Sequence, residues 1–207
     1  MKAIALFLFV IFGGFCASSS TISDFFIADV ADIDFVFSTI DKSSRMDMVD
    51  YYNSGMKIEI DNSLGGKSKI EEMTPTYMKV KLSESATVEM QMEVAGKTDT
   101  LLFVIKTLKT PALDSSIKVF DRYWNEVDCF KMPQVEDFIV GASSKKKKEL
   151  LSMVEFPLIY LKFNNGAIEA IPSLKDYMIK ENYELLKPFL KDKLVYEWDG
   201  KQFKMSK

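Results

Sequence analysis

Thr87-Val88-Glu89-Met90-Gln91-Met92-Glu93-Val94 decides the fold, because Val88, Met90, Met92 and Val94 alternate without a break against Thr87, Glu89, Gln91 and Glu93. Successive side chains of an extended strand point to opposite faces, so this period predicts a strand with one apolar and one wet face. The pattern continues on both sides. Upstream, Met78, Val80 and Leu82 alternate with Lys79 and Lys81, and Lys57-Ile58-Glu59-Ile60 starts the extended region before a turn rich in Asn62, Ser63, Gly65 and Gly66. Downstream, Gly96 marks a turn and Leu101 to Ile105 is continuously apolar, as expected of a central strand buried on both faces. Pro111 closes that segment, and Ile117 to Phe120 resumes extended chain toward a turn at Asp121, Arg122 and Trp124.

Helical spacing flanks this sheet. Thr21 and Ser23 ahead of Asp24-Phe25-Phe26-Ile27 predict a short first helix burying Phe26, Val30 and Ile33. A second begins at Ser43 or Ser44, where Ser44 and Asp47 have capping-box spacing, and ends before Gly55. Ser143 or Ser144 caps a third running to about Glu155, followed by a strand from Phe156 to Phe163. Asn164-Asn165-Gly166 is a hairpin turn before the strand Ala167 to Ile171. Asn182 to Leu190 is helical until Pro188 breaks it, and a final hairpin turns at Asp199-Gly200 between Leu194 to Trp198 and Gln202 to Met205. Strands joined by short turns, with helices inserted in blocks, predict an α+β fold that is mainly antiparallel sheet. Its two halves, 20–130 and 134–207, are faintly alike, since Ser43-Ser44-Arg45 and Ser143-Ser144-Lys145 open helices in the same way.

Residues 1–19 read as a signal peptide: Lys2, an apolar run from Ala3 to Phe12, then Ala17-Ser18-Ser19 before the cut. A run this short cannot cross a hydrocarbon core that needs about 20 residues, so no transmembrane helix is expected after its removal. Cys16 offers a rival lipid anchor, but Phe15 stands where a lipoprotein signal requires a small residue. The remaining 20–207, about 188 residues, suit a single domain. An apolar fraction of 47% with 13% aromatic residues is that of a packed chain. Cleavage leaves Cys129 as the lone cysteine, so no intramolecular disulfide is expected. Removing Lys2 takes the formal charge from −3 to −4, and Arg45 and Arg122 are the two guanidinium groups, a composition that argues against nucleic acid as partner.

The 207 residues contain no histidine, which removes the usual general base, proton shuttle and commonest transition-metal ligand together. Serine-histidine-aspartate triads, cysteine-histidine dyads and imidazole zinc sites are excluded, and no cofactor or metal is expected. Ser143 with Lys146 has the spacing of a serine-lysine pair, but four consecutive lysines give no desolvation to lower an amine pKa, so a helix cap is the better reading. Gly65-Gly66-Lys67-Ser68 looks like the end of a phosphate loop, yet Asp61 holds the leading glycine's place. Asp47 with Asp50, Glu71 with Glu72, and Glu181 with Glu184 are the acidic pairs, read as solvated faces. Cys129 reads as a half-buried structural thiol.

Arg45-Met46-Asp47-Met48-Val49-Asp50-Tyr51-Tyr52, the Gly65-Gly66 turn, Tyr77, Thr107 before Pro111, Asp114-Ser115, Trp124 and the terminal Trp198-Asp199-Gly200 together resemble an uncharacterised Bacteroidetes family of exported proteins, domain of unknown function 3256. The stretch Asp34 to Phe37 departs from the family pattern. The resemblance implies a periplasmic or surface setting in a Gram-negative bacterium and supplies no catalytic residues. The expected function is therefore non-enzymatic binding to another envelope protein, through a sheet face and an interaction surface of Tyr123, Trp124, Tyr196 and Trp198. The competing expectation is a histidine-free hydrolase using Asp47, Asp50 and Glu72.

Overall fold

The computed structural model describes residues 20–30, 36–96 and 99–206. The signal peptide 1–19, with Cys16 and the cut after Ser19, lies outside the described residues, as do Ile33 and the Asp34 end of the departing stretch.

Two antiparallel sheets carry the fold, each laid down in chain order. The larger comprises β1 (Ile60–Asp61), β2 (Lys67–Met73), β3 (Tyr77–Ser83), β4 (Ala86–Ala95), β5 (Asp99–Lys109) and β6 (Leu113–Phe120). The smaller comprises β7 (Ile159–Asn164), β8 (Ala167–Pro172), β9 (Leu194–Trp198) and β10 (Phe203–Met205), ordered β10-β9-β8-β7. The β7–β8 turn has positive φ at both Asn165 (51°) and Gly166 (78°), the type I′ geometry that matches strand twist. The β1–β2 turn is held by Asn62, whose Oδ1 accepts from Leu64 N and Gly66 N while its Nδ2 donates to Ser68 Oγ and Leu82 O.

The continuous apolar run in β5 makes the larger sheet a wall shared by two cores. Leu102 and Val104 face one way, onto Met78, Val80, Val88 and Met90 of the same sheet and onto Phe25, Phe26, Met48 and Val49 from α1 (Ile22–Phe26) and α2 (Lys42–Asn53). Phe103 and Ile105 face the other way, onto Ile159, Leu161, Ile168, Ala170, Leu194 and Phe203 of the smaller sheet. Phe138, Leu150 and Leu186 close that second core from α3 (Val135–Phe138), α4 (Ser144–Leu151) and α5 (Lys180–Leu186). Each fully buried side chain of this size stabilises by about 1.5–3 kcal/mol, so the alternation of β5 drives both halves of the chain onto one sheet.

Several boundaries differ from expectation for local reasons. The cap of α2 is Asp41, whose Oδ1 accepts from Ser44 N at 2.7 Å, so the helix starts earlier than the serine spacing suggests. Ser143 does cap α4, accepting from Lys146 N, but the helix ends at Leu151. β7 begins at Ile159 because Leu158 N turns back to Phe156 O and gives no ladder bond to β8. Pro188 converts the end of the predicted helix into a 3-10 turn over Lys187–Phe189. Pairing in β1 is confined to Ile60 and Asp61, leaving Lys57 to Glu59 exposed. The wet face expected of β4 is wet only in part: Glu89, in its middle, is 4% exposed because the smaller sheet covers it.

Candidate functional site

The turn after β6 is built by one carboxylate. Asp121 Oδ1 accepts from Tyr123 N (2.8 Å) and Asn125 N (2.9 Å), and its Oδ2 accepts from the Asn125 side-chain amide (2.8 Å). Backbone bonds from Asp121 N to Asn125 O and from Trp124 N to Asp121 O close the loop. These contacts, the Asn125 amide foremost, hold the Asp121 carboxyl below its ordinary range. So closed, the loop places Trp124 in the left-handed region (φ 65°), where a bulky side chain is strained. The indole is thereby turned into the core, 5.0 Å from the Phe120 ring and 6.1 Å from Phe25. Arg122 and Tyr123 stay exposed, with the guanidinium 5.2 Å from the Tyr123 ring centre, within cation–π range.

A cleft of about 340 Å³ separates this turn from α1, lined by Ser20, Asp24, Phe25, Ala28, Val30, Arg122, Tyr123 and Trp124. Its floor is the aromatic pair Phe25 and Trp124. Asp24 is engaged at its Oδ2 by Thr21 N (2.7 Å) and Thr21 Oγ1 (2.9 Å), which starts α1. On the other side of the turn lies a depression of about 450 Å³, lined by Asp99 and Asp121 together with Ala95, Thr100, Leu101, Arg122 and Tyr123. Arg122 and Tyr123 therefore form the rim of both.

The four aromatic residues expected to share a surface are divided between the two faces of the larger sheet. Tyr123 is on the cleft rim and Trp124 beneath it, 4% exposed and thus a core residue, not a surface one. Trp198 packs on Phe103 and Phe203 in the second core, its Nε1 donating to Val94 O at 3.1 Å, and Tyr196 stacks on Phe130. The split arises because the neighbouring residues Leu102 and Phe103, against whose faces the two groups pack, point to opposite sides of β5. The central part of the larger sheet is buried on both sides.

The remaining candidate groups lie apart from this cleft. Asp47, Asp50 and Glu72 are exposed, the first two on α2 and the third on β2. Lys146, the proposed partner of Ser143, is ion-paired to Glu149 at 2.8 Å. Ser68, at the end of the phosphate-loop likeness, is fully buried and donates to Leu82 O. Cys129 is half-buried and its thiol is pushed up, chiefly by burial and then by Asp128. Among the described residues no group of three or more cysteine, aspartate and glutamate side chains is placed to hold a metal, and no helix is long and apolar enough to cross a membrane.

Sequence reasoning missed a second buried polar cluster, where β7 docks on the larger sheet. The amides of β7 that point away from β8 are all received by side chains: Ile159 N by Asp114 Oδ1 (3.1 Å), Leu161 N by Ser115 Oγ (2.9 Å) and Phe163 N by Glu89 Oε2 (3.2 Å). Thr107 and Ser115 share a hydroxyl hydrogen bond of 2.8 Å, and Tyr77 OH donates to Glu89 Oε2 at 3.1 Å. Burial raises the Glu89 carboxyl above its ordinary range against the opposing pull of Phe163 N–H, Lys79 and the Tyr77 hydroxyl. Asp114 Oδ1, Ser115 Oγ and Glu89 Oε2 are taken up in joining the sheets. The Asp114-Ser115 pair and Thr107 were visible in the sequence, but nothing in their spacing assigned them to this joint.

A family model described as "Protein of unknown function (DUF3256)" matches residues 17–203. Among solved structures, the fold is similar to that of a domain of an uncharacterized protein from Porphyromonas gingivalis W83, with a TM-score of 0.77 and 16% identity. That likeness covers 89% of this chain and 97% of the other, and its source belongs to the Bacteroidetes. No curated protein matches the sequence.

Proposed function

The chain belongs to the DUF3256 family of proteins of unknown function, and on that footing we propose that it is an exported protein of the cell envelope that acts by binding and not by turnover. The observation that carries the reading is the cleft between α1 and the 121–125 turn, built over a buried tryptophan held in a strained conformation. Strained residues persist where the surroundings over-determine them, and they cluster at ligand sites. The charged and apolar start of the sequence, Lys2 followed by Ala3 to Phe12, supports export.

With two tryptophans in the chain, the variant Trp198→Phe leaves Trp124 as a single optical reporter of the cleft. Titration of that variant with envelope extract is expected to change the indole emission saturably while the extract components remain chemically unaltered. Emission that never responds, or consumption of an extract component by the wild-type protein, would overturn the reading. Cell fractionation tests export independently, and protein retained in the cytoplasm with residues 1–19 still attached would refute that part.

A further inference from the structure

The β2 edge of the larger sheet has one open rung. Hydrogen-bonding direction alternates along an antiparallel strand. Asn62 N bonds Gly66 O at the turn and Ile60 pairs with Ser68 two residues on, so Ser68, and then Ile70, turn their backbone N–H and C=O to the outer edge. β1 takes up Ser68 and ends there. Beyond the bulge at Glu71, Met73 N is received by Tyr52 OH at 3.1 Å. Between these two capped points, Ile70 N and O have no partner on the outer side among the described residues. The chain upstream of β1, Met56 to Glu59, does not continue the ladder, and a slot of about 620 Å³ lies between it and β2. Its lining includes Tyr52, Met56, Lys57, Ile58, Lys69 and Ile70.

We infer that this slot takes one extended peptide segment carrying an acidic side chain, which adds to the larger sheet beside β2 by exchanging backbone hydrogen bonds with Ile70. A strand added to a sheet edge is held through its main chain and selected by the groups that receive its alternate side chains. Both are present here. Met56 and Ile58, 45% and 40% exposed, offer apolar contact to those side chains. Charge sets the preference, because Lys69 is answered by Glu59 at 2.9 Å and Glu71 by Lys79 at 3.8 Å, while Lys57 is exposed and makes no ion pair among the described residues. The unanswered charge of the slot is therefore positive. A second copy of this chain suits the rung less well, since its own Met56 to Glu59 segment lies along the edge it would offer. The bulge at Glu71 also keeps the open stretch short, which blunts the edge against indefinite stacking. No residue lines both this slot and the cleft beside α1, so the two sites stand or fall separately.

The test titrates isotope-labelled protein with the peptide acetyl-Thr-Val-Glu-Val-Thr-amide and follows the backbone amide resonances. The expected result is a saturable downfield shift of the Ile70 amide, with slower hydrogen exchange there and smaller shifts at Met56 to Ile58. The same peptide N-methylated at its three central residues has no central N–H to give, and should bind roughly tenfold more weakly, as for loss of the backbone pairing. Replacing its glutamate by lysine should weaken binding roughly threefold, the scale of one exposed ion pair. Lys57→Glu should reverse that preference between the two peptides. Lys57 is exposed, so thermal unfolding of the variant should match wild type and shows that the fold is retained. An Ile70 amide that no peptide moves, or equal binding of the methylated and unmethylated peptides, would overturn the strand addition. Indifference to Lys57→Glu would overturn the acidic preference. An Ile70 shift that grows with protein concentration in the absence of peptide would overturn the proposal in favour of a second copy at this edge.

Discussion

Glu89 and Glu169 show how far a carboxylate's behaviour depends on what reaches it. Glu169, 5% exposed, is held down to about 2, first by its hydrogen bond from Lys193, then by the Asn164 amide and Lys162, whose ammonium is 3.2 Å away. Its contribution to stability is full above the unfolded carboxylate value and is lost as the pH falls toward about 2. Glu89 runs the other way, because burial raises it while Phe163 N–H, Lys79 and Tyr77 only partly compensate. Its folded form holds a proton more tightly than the unfolded chain does, so its contribution is full below the unfolded value and is lost as the pH rises through the folded one. Glu89→Gln keeps an acceptor oxygen for Phe163 N and Tyr77 OH without the charge, so its stability relative to wild type should grow as the pH is raised from the ordinary carboxylate range to neutrality. Urea midpoints at a series of pH values check this, and parallel profiles for the two proteins would contradict it. Both glutamates sit at ordinary polar positions of alternating strands. Their difference is illegible in sequence because the Phe163 amide that reaches Glu89 comes from 74 residues away.

β7 is an edge strand of the smaller sheet, and its outward amides would be open to another chain if nothing received them. Here Asp114, Ser115 and Glu89 receive them, so the larger sheet blunts the edge of the smaller with side chains instead of a further strand. Ser115→Ala strands both the Leu161 amide and the Thr107 hydroxyl, and should destabilise the protein by on the order of 2–3 kcal/mol. Hydrogen exchange locates the effect: the Leu161 amide should exchange faster, with the paired amides of β4 and β5 little changed. A loss spread evenly over both sheets would contradict a local joint. The hairpins and the Ser143 cap were readable beforehand because they are set by neighbours a few residues apart, such as Asn165 beside Gly166. The one-turn helix α3 went unread, although Gln134 and Asp137 have capping-box spacing and Asp137 Oδ2 accepts from Gln134 N at 2.8 Å.

Because β5 is the shared wall, loosening one core removes a face that the other rests on, and the protein should unfold in one step. Each tryptophan reports a different core, Trp124 beside Phe25 and Phe120 and Trp198 beside Phe103 and Phe203. In Trp198→Phe and in Trp124→Phe, the emission of the remaining tryptophan and the far-ultraviolet circular dichroism should therefore change over the same range of denaturant. Separate transitions would mean that the cores stand independently. Period and turn chemistry already specified an antiparallel α+β chain and marked β5 as buried on both faces, since these follow from where adjacent side chains must point and which residues tolerate positive φ. The cleft was half visible, as Tyr123 and Trp124 in a turn after an extended run. That Trp124 is buried, that Tyr196 and Trp198 lie on the opposite side, and that Asp24, Phe25 and Arg122 share one hollow arose on folding. Such groupings depend on which face packs against which segment across long stretches of chain, and no local pattern encodes a contact between residues that only the packing of the cores brings together.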